Sequence, residues 1–339
     1  MIISYYSPVK DKPGLKDTEN HHTVHTVHTV QKLDRFSPKS LKYMINIWNK
    51  VCQPQEKIDA NSTNMYSNLN NALKPYVKGP NKYWLWSGVI EKLAEKKYIN
   101  NTKVLAKIKR DLRTICKREL KPEKPESWYK NPKTWLSNWD IQNVMTQYAQ
   151  NKSYHYEFMG VFPIDFAVMS QSGMCMYSSI CNINIKSCLK RGKSFIGLIT
   201  NLDRHDQSGS HWTSTFIVID PKLKTYGAFY YDSTGSPIPS YLLTFLKNVK
   251  EQCLNLHPDK EFLINQNKKQ HQRKNTECGI FSMLYQIRWL NKHIIKKDMT
   301  TFHEILANPN IDDEHMLTIR DYLFRPNTKL ELKKLGFSV

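Results

Sequence analysis

The sequence predicts an α+β fold, because a β-hairpin is followed by a long amphipathic helix and preceded by a separate helical region. Two β-rich runs, Ser214–Asp220 and Tyr226–Asp232, flank a short turn at Pro221, as in an antiparallel hairpin. After Cys278, apolar residues recur at spacings of three and four, which is typical of a helix packed on a core. We therefore expect a central, mostly antiparallel sheet with this helix against it.

Further apolar periodicities predict the remaining elements, and Ser37 followed by Pro38 is a typical helix start. Helices are expected at Asp34–Asn49, Asn81–Asn100, Lys103–Leu120, Asp140–Gln150, Met174–Leu189, Tyr241–Leu256 and Ile311–Leu323, and two more strands at Ser194–Asn201 and Glu261–Asn265.

A cysteine at the start of the predicted core helix is the first candidate for chemistry. Unpaired N–H groups and the helix dipole at a helix N-terminus stabilise a thiolate, which makes Cys278 a candidate nucleophile. His211 lies at the start of the first hairpin strand and Asp232 at the end of the second. Because these ends lie side by side in an antiparallel pair, Asp232 would orient the imidazole of His211 and stabilise its charged form. The spacing therefore predicts nucleophile, base and orienting carboxylate in one site.

Taken in order, these motifs resemble the SUMO-protease-like cysteine peptidases, and their viral branch above all. That branch includes the adenovirus protease, the poxvirus core protease and the African swine fever virus polyprotein-processing protease. The resemblance extends over residues 128–325. The motifs that carry it are Trp135-Leu136-Ser137-Asn138-Trp139-Asp140-Ile141, Ser210-His211-Trp212, Tyr231-Asp232-Ser233, His271-Gln272-Arg273 and Thr276-Glu277-Cys278-Gly279.

The resemblance implies a papain-like fold and a role for each matched residue. Cys278 would be the nucleophile, His211 the general base and Asp232 its orienting carboxylate. Gln272, six residues before Cys278, would donate a hydrogen bond to the oxyanion, with Gln270 and Asn275 as alternatives in the same loop.

The resemblance also implies two substrate-binding tryptophans, Trp135 and Trp212, which would form the walls of a narrow cleft over the substrate. Plain core packing is the alternative role for both side chains. The family has an aspartate where this chain has Asn138, so the details of the cleft are not transferred.

Charge is the outstanding feature of the composition. The chain has 50 Lys and Arg against 30 Asp and Glu, a formal net charge of +20. Residues 1–125 hold 24 basic and 11 acidic residues, a net charge of +13. Such an excess favours polyanionic partners such as nucleic acid, but no nucleic-acid-binding motif is visible, so a lysine- and asparagine-rich solvated surface is the preferred explanation. The resemblance adds DNA as a candidate activator, and otherwise no cofactor is expected.

Neither a membrane span nor a signal peptide is recognised in the sequence. The seven cysteines form no CxxC pair, so we expect free thiols, a reducing compartment and no structural metal site. In the helix predicted at Met174–Leu189, Cys175, Cys181 and Cys188 are expected to be packing residues.

Three regions are predicted along the chain. Residues 1–31 carry a His-Thr-Val repeat and are expected to be a disordered, low-complexity segment. Residues 32–125 are expected to form a basic helical accessory domain that ends in a Pro-containing linker. Residues 126–339 would be the catalytic domain.

The predicted function is a cysteine endopeptidase that cleaves after small residues, in Gly-Gly-X sequences. By resemblance, it would process viral structural polyproteins during virion maturation, in the virion and in the viral factory of the host cytoplasm. One alternative keeps the chemistry but assigns SUMO or ubiquitin conjugates of the host as substrates. A second alternative is a non-catalytic, basic virion protein that binds nucleic acid.

Overall fold

The structure is a computed structural model that describes residues 36–79, 82–169, 173–296 and 312–338, without the side chains of residues 292–296. The low-complexity segment predicted at residues 1–31 lies outside the described residues. The described chain divides into two compact units. We call residues 36–79, 82–132 and 323–338 the helical unit, and residues 133–169, 173–296 and 312–322 the sheet unit.

The regular elements are numbered here along the chain. The helices in the described residues are α1 (Pro38–Val51), α2 (Met65–Leu73), α3 (Trp86–Lys97), α4 (Thr102–Glu119), α5 (Asn138–Gln150), α6 (Ser178–Cys181), α7 (Ile185–Lys190), α8 (Ser240–Leu256), α9 (Cys278–Lys296), α10 (Asp313–Leu323) and α11 (Thr328–Lys334). The strands are β1 (Tyr156–Pro163), β2 (Phe195–Asn201), β3 (Trp212–Val218), β4 (Gly227–Tyr231) and β5 (Leu263–Gln266). The α+β class predicted from the sequence is confirmed.

The helical unit packs α1 to α4 and α11 around one core. Ser37 accepts a hydrogen bond from the backbone N–H of Ser40 at 3.3 Å and so caps α1, as its place before Pro38 predicts. At the end of the chain, Phe324 lies edge-on to Trp128, with 4.9 Å between ring centroids. Residues 126–132 and 323–338 thus belong to this unit. The predicted domains at 32–125 and 126–339 stay predictions.

The sheet of the other unit has the strand order β1-β2-β3-β4-β5. Its two central pairs, β2 with β3 and β3 with β4, are antiparallel, and the outer pairs are parallel. The hairpin expected from residues 214–232 is therefore confirmed, with Ser214 opposite Tyr231. Every residue of β2 and β4 is buried, because helices cover both faces of the sheet.

Aromatic stacking fixes α9 on one face of the sheet. Trp289 stacks on Phe216 of β3 with 5.2 Å between ring centroids, and Tyr285 stacks on Tyr231 of β4 at 4.6 Å. On the opposite face, α8 packs Leu242, Leu246, Val249 and Cys253 into a second core with alternate residues of the strands. Helix α9 is therefore held along its length, with Cys278 at its first residue.

A buried amide adds a polar anchor between α9 and the sheet. Gln286 is fully buried, and its Nε2 donates to Leu198 O and to Ser214 Oγ, each at 2.9 Å. Its Oε1 accepts from the hydroxyl of Tyr156 on β1. A Cβ at Gly197 would overlap both Tyr156 Oη and Gln286 Oε1, so a glycine is needed where this pair crosses β2.

The single helix predicted at Met174–Leu189 was wrong. The structure has two short helices, α6 and α7: the first ends at Cys181 with Asn182 as its C-cap, and Asn184 caps the second by accepting from Ser187 N at 2.8 Å.

The expectation of free thiols was wrong for two residues. Cys175 and Cys181 form a disulfide, with 6.4 Å between their Cα atoms, a separation that allows a bridge. The other five cysteines are free, and Cys188 is buried as a packing residue, as expected. The expected reducing compartment stays a prediction.

No helix among the described residues combines the length and hydropathy that a membrane span requires.

The substitution Gln286→Leu should lower the free energy of unfolding by about 2–4 kcal/mol, because it removes the amide that hydrogen-bonds the buried hydroxyls of Tyr156 and Ser214. Urea denaturation followed by circular dichroism measures this. The matched control, Gln150→Leu at an exposed position of α5, should change stability by less than about 0.5 kcal/mol. Equal stabilities of the two variants would contradict the assigned role of Gln286.

Candidate active site

The thiol of Cys278 lies at the N-terminus of the core helix, as the sequence predicts. The carbonyl of Glu277 accepts the N–H of Phe281 at 3.0 Å, so α9 begins directly at Cys278. Cys278 is 2% exposed, which removes most of the water that would otherwise solvate its sulfur. The N–H groups of the first helical turn and the helix dipole stabilise negative charge at this position.

His211 and Asp232 meet across the β3–β4 hairpin. Because Ser214 lies opposite Tyr231, the residues before β3 and after β4 come together at the same end of the sheet. His211 Nε2 lies 2.8 Å from Asp232 Oδ1. The ring's other nitrogen, Nδ1, is then the one available to Cys278, whose thiol is among the groups that raise the pKa of His211.

The electrostatics of His211 favour its charged form. Burial of the ring lowers its pKa, but the hydrogen bonds to Asp232 and Cys278 outweigh burial and raise the pKa of His211 to about 9. The arrangement therefore favours an imidazolium at neutral pH, next to a sulfur at a helix N-terminus.

The carboxylate of Asp232 is itself held in place. It is fully buried, and its Oδ1 also accepts from the backbone N–H of Thr234 at 2.7 Å and from Thr234 Oγ1 at 2.8 Å. Asn267 fixes the backbone of Asp232, accepting from its N–H at 2.9 Å and donating to its carbonyl at 2.6 Å. Sequence reasoning missed both Thr234 and Asn267, and only their positions after β4 and β5 could have indicated them.

Gln272 is buried beside the end of β4. Its Oε1 accepts from Ser233 Oγ at 2.6 Å, and its Nε2 donates to the carbonyl of Lys274 at 2.5 Å. The amide carries a second N–H on Nε2 that an oxyanion can accept. Gln270 and Asn275, the alternatives in the same loop, are both exposed. Burial thus favours Gln272 as the oxyanion donor, and the assignment stays a prediction.

A second histidine in this region has the opposite character. His271 is buried and hydrogen-bonds through Nδ1 to the Tyr231 hydroxyl at 3.0 Å. Burial, with the charges of Lys269 and Arg288, lowers the pKa of His271 to about 4. His271 is therefore neutral at physiological pH and has a structural bond, which leaves His211 as the candidate general base of the site.

The two predicted tryptophans are joined through Leu136. The indole Nε1 of Trp212 donates to the carbonyl of Leu136 at 3.0 Å, and Trp135, the neighbour of Leu136, is 43% exposed. The side chain of Leu136 lies on Gly279, where an added Cβ would come within 2.9 Å of Leu136 Cδ1. A glycine after Cys278 is thus required for this close approach, which brings the Trp135 segment beside the candidate nucleophile.

The described residues include no group of three or more His, Cys, Asp or Glu side chains placed to hold a metal ion.

Comparisons with known proteins find relatives among viral proteins. No protein-family model matches the chain. The chain is 30% identical over 185 residues to the thiol protease R355 of Acanthamoeba polyphaga mimivirus, a match that covers 52% of this chain and 56% of that protein. It is 31% identical over 137 residues to the SUMO-1 cysteine protease S273R of African swine fever virus, covering 40% and 46%. Its relatives are viral cysteine proteases.

The fold agrees with these sequence matches. The crystal structure of the African swine fever virus pS273R protease superimposes with a TM-score of 0.54 at 18% identity, covering 79% of this chain and 94% of that one. The chain shares this protease fold, and the predicted resemblance to the viral branch of the family is confirmed. The chain spans about half the length of the curated relatives named above.

The substitution Asp232→Asn should move the titration midpoint of the His211 imidazole downwards from about 9, because burial then acts without the carboxylate. NMR of the histidine ring signals as a function of pH measures the midpoint.

Folding raises the pKa of His211 above its ordinary value of 6.5. The stability that protonation of His211 contributes is therefore complete below about pH 6.5 and is lost as pH rises through about 9.

The matched control is Asp220→Asn, which changes a carboxylate just beyond the opposite end of β3. It should leave the midpoint of His211 unchanged. A midpoint that Asp232→Asn does not move would show that Asp232 is not the group that stabilises the imidazolium.

Proposed function

We propose that this chain is a cysteine endopeptidase in which Cys278, His211 and Asp232 act as nucleophile, general base and orienting carboxylate. The observation that carries this proposal is the 2.8 Å contact of His211 Nε2 with Asp232 Oδ1, which leaves the ring's other nitrogen available to the thiol of Cys278. A buried carboxylate, an imidazole and a thiol at a helix N-terminus are the parts that acyl transfer to sulfur needs.

The reaction follows from these positions. His211 holds the proton of the Cys278 thiol as an imidazolium, and the sulfur attacks the carbonyl carbon of the scissile peptide bond. The oxyanion accepts hydrogen bonds from Gln272 Nε2 and from the backbone N–H of Cys278. The C–N bond then breaks, and the amine leaves with the proton from His211. Water, deprotonated by His211, hydrolyses the thioester and regenerates the thiol.

The substrate class follows from the surroundings of Cys278. A substrate chain that lies along Trp135 and Trp212 meets two indoles and the Leu136–Gly279 contact beside the thiol. A side chain on the acyl residue would have to compete with these groups for space, so the proposal assigns a small residue there, in Gly-Gly-X sequences. The proposed biological role is processing of viral structural polyproteins during virion maturation, in the virion and in the viral factory of the host cytoplasm.

The alternative substrate is a ubiquitin-like modifier. Its support is the name of the swine fever virus relatives, which are described as SUMO-1 cysteine proteases. Such modifiers end in Gly-Gly, so the same cleft chemistry would accept their tails. A SUMO-tail or ubiquitin-tail activity probe distinguishes the two roles. If this probe labels Cys278 faster than a probe built on a short Gly-Gly peptide does, the modifier is the favoured substrate.

A nucleic-acid partner is proposed for the helical unit. Helix α4 presents five exposed cations at helical spacing on its surface: Lys103, Lys107, Arg110, Arg113 and Lys117. Such a stripe suits a phosphate backbone, and binding should weaken steeply with salt. The same surface is the proposed binding site for DNA as an activator, a role that the resemblance suggests, and equal cleavage rates with and without DNA at low salt would reject it. DNA binding with no peptidase activity would instead support the non-catalytic alternative.

The substitution Cys278→Ala should lower cleavage of a Gly-Gly-X peptide by at least roughly 10⁴-fold, because no thioester can form. Product formation is followed by liquid chromatography, and circular dichroism checks that the variant is folded. The control is Cys52→Ala, which removes a partly buried free thiol of the helical unit and should retain full activity. Cleavage by Cys278→Ala at the wild-type rate would refute the proposed nucleophile.

A further inference from the structure

Helix α10 contacts the loop of residues 272–277 at both of its ends. Asp313, at the first residue of α10, accepts hydrogen bonds from the backbone N–H groups of Arg273 at 2.9 Å and Lys274 at 3.1 Å. Arg320 donates from Nε at 3.1 Å and from Nη2 at 2.9 Å to the carboxylate of Glu277. Residues seven apart lie on nearly the same helix face, about 10 Å apart along the axis.

These contacts are buried and charge-assisted. Asp313 is 7% exposed, and Arg320 and Glu277 are 3% and 1% exposed. A carboxylate that accepts two backbone N–H groups has a well-defined geometry. The same holds for a guanidinium that donates two hydrogen bonds to one carboxylate. The loop is therefore fixed in position rather than merely covered.

Each contact leads directly to a group of the candidate site. Asp313 holds Lys274, whose carbonyl accepts the Nε2 of Gln272 at 2.5 Å and so orients the amide of the oxyanion donor. Arg320 holds Glu277, the residue before Cys278. The Nη1 of Arg320 also donates at 2.8 Å to the carbonyl of Thr134, the residue before Trp135.

We propose that Asp313 and Arg320 are positioning residues of this active site, with Asp313 aligning Gln272 and Arg320 fixing Cys278 relative to Trp135. The inference rests on the proposed peptidase function. Neither side chain touches the reacting atoms; both set the distance between groups that do. A displacement of about 1 Å in such groups can lower a rate roughly 100-fold.

The experiment compares Asp313→Ala with Asp312→Ala. Asp312 is the exposed neighbour, and its carboxylate accepts only the N–H of His315 within the described contacts, at 2.8 Å. Both variants lose a carboxylate at the start of α10, but only Asp313→Ala releases the loop. Three readouts are taken: kcat and KM on a Gly-Gly-X peptide, alkylation of Cys278 by iodoacetamide, and hydrogen exchange at Arg273 and Lys274.

Asp313→Ala should lower kcat about 10–100-fold with KM changed less than about threefold, since the oxyanion donor acts mainly in the transition state. Alkylation of Cys278 should stay within about twofold of wild type, because the pair of Cys278 and His211 needs no oxyanion donor. Amide exchange at Arg273 and Lys274 should accelerate at least about tenfold, because both N–H groups lose their acceptor. Asp312→Ala should match wild type in all three.

Wild-type kcat in Asp313→Ala, or an equal loss in Asp312→Ala, would overturn the role of Asp313. If Asp313→Ala does not fold, Asp313→Asn replaces it; this variant keeps one oxygen acceptor, and its kcat should fall between the wild-type value and the full loss.

Arg320→Lys tests the contact near the other end of α10, because a single ammonium cannot bridge Glu277 and Thr134. It should lower kcat/KM about tenfold, and wild-type kcat/KM would overturn the role of Arg320.

The readouts separate this inference from the peptidase proposal. If wild type cleaves no peptide, the proposed function fails, but hydrogen exchange still decides whether Asp313 holds the loop. Faster exchange in Asp313→Ala and not in Asp312→Ala supports the positioning contact, and unchanged exchange refutes it.

Discussion

The hydrogen bond between His211 Nε2 and Asp232 Oδ1 is the contact on which the rest of the site depends. It exists because β3 and β4 pair in antiparallel register, which brings the start of one strand beside the end of the other. It also decides which imidazole nitrogen faces Cys278. Thr234 and Asn267 then prevent Asp232 from rotating towards another partner. A shift of the hairpin by one residue would turn Asp232 to the other face of the sheet and separate its carboxylate from the imidazole of His211.

The position of the thiol depends on a different set of forces. Helix α9 is packed on the sheet by the stacking of Trp289 on Phe216 and of Tyr285 on Tyr231. Gln286 adds hydrogen bonds that only one register of the helix satisfies. Apolar packing thus supplies stability, and the buried amide supplies specificity. The sulfur of Cys278, at the first residue of α9, consequently has a fixed position relative to β3 and β4.

The sequence was sufficient to predict the parts of this structure that follow from local patterns. The alternation in residues 214–232 predicts the hairpin, and the apolar spacing after Cys278 predicts α9. The break between α6 and α7 was missed because Cys181, Ile185 and Leu189 keep a helical spacing across the cap at Asn184. The disulfide of Cys175 with Cys181 was missed because their spacing of six fits no standard motif. Asn267, Asp313 and Arg320 act through contacts distant in sequence, which no local pattern contains.

The central claim is that Cys278 carries the acyl group during turnover. The most direct measurement is mass spectrometry of enzyme mixed with a Gly-Gly peptide ester and quenched in acid within the first turnover, followed by digestion. The account predicts an acyl adduct on the peptide that contains Cys278, and no adduct in His211→Ala, where the thiol has lost its base. An acyl adduct on another cysteine would contradict the account. So would hydrolysis of the ester by the wild-type protein with no adduct on any cysteine, together with an undiminished hydrolysis rate in His211→Ala.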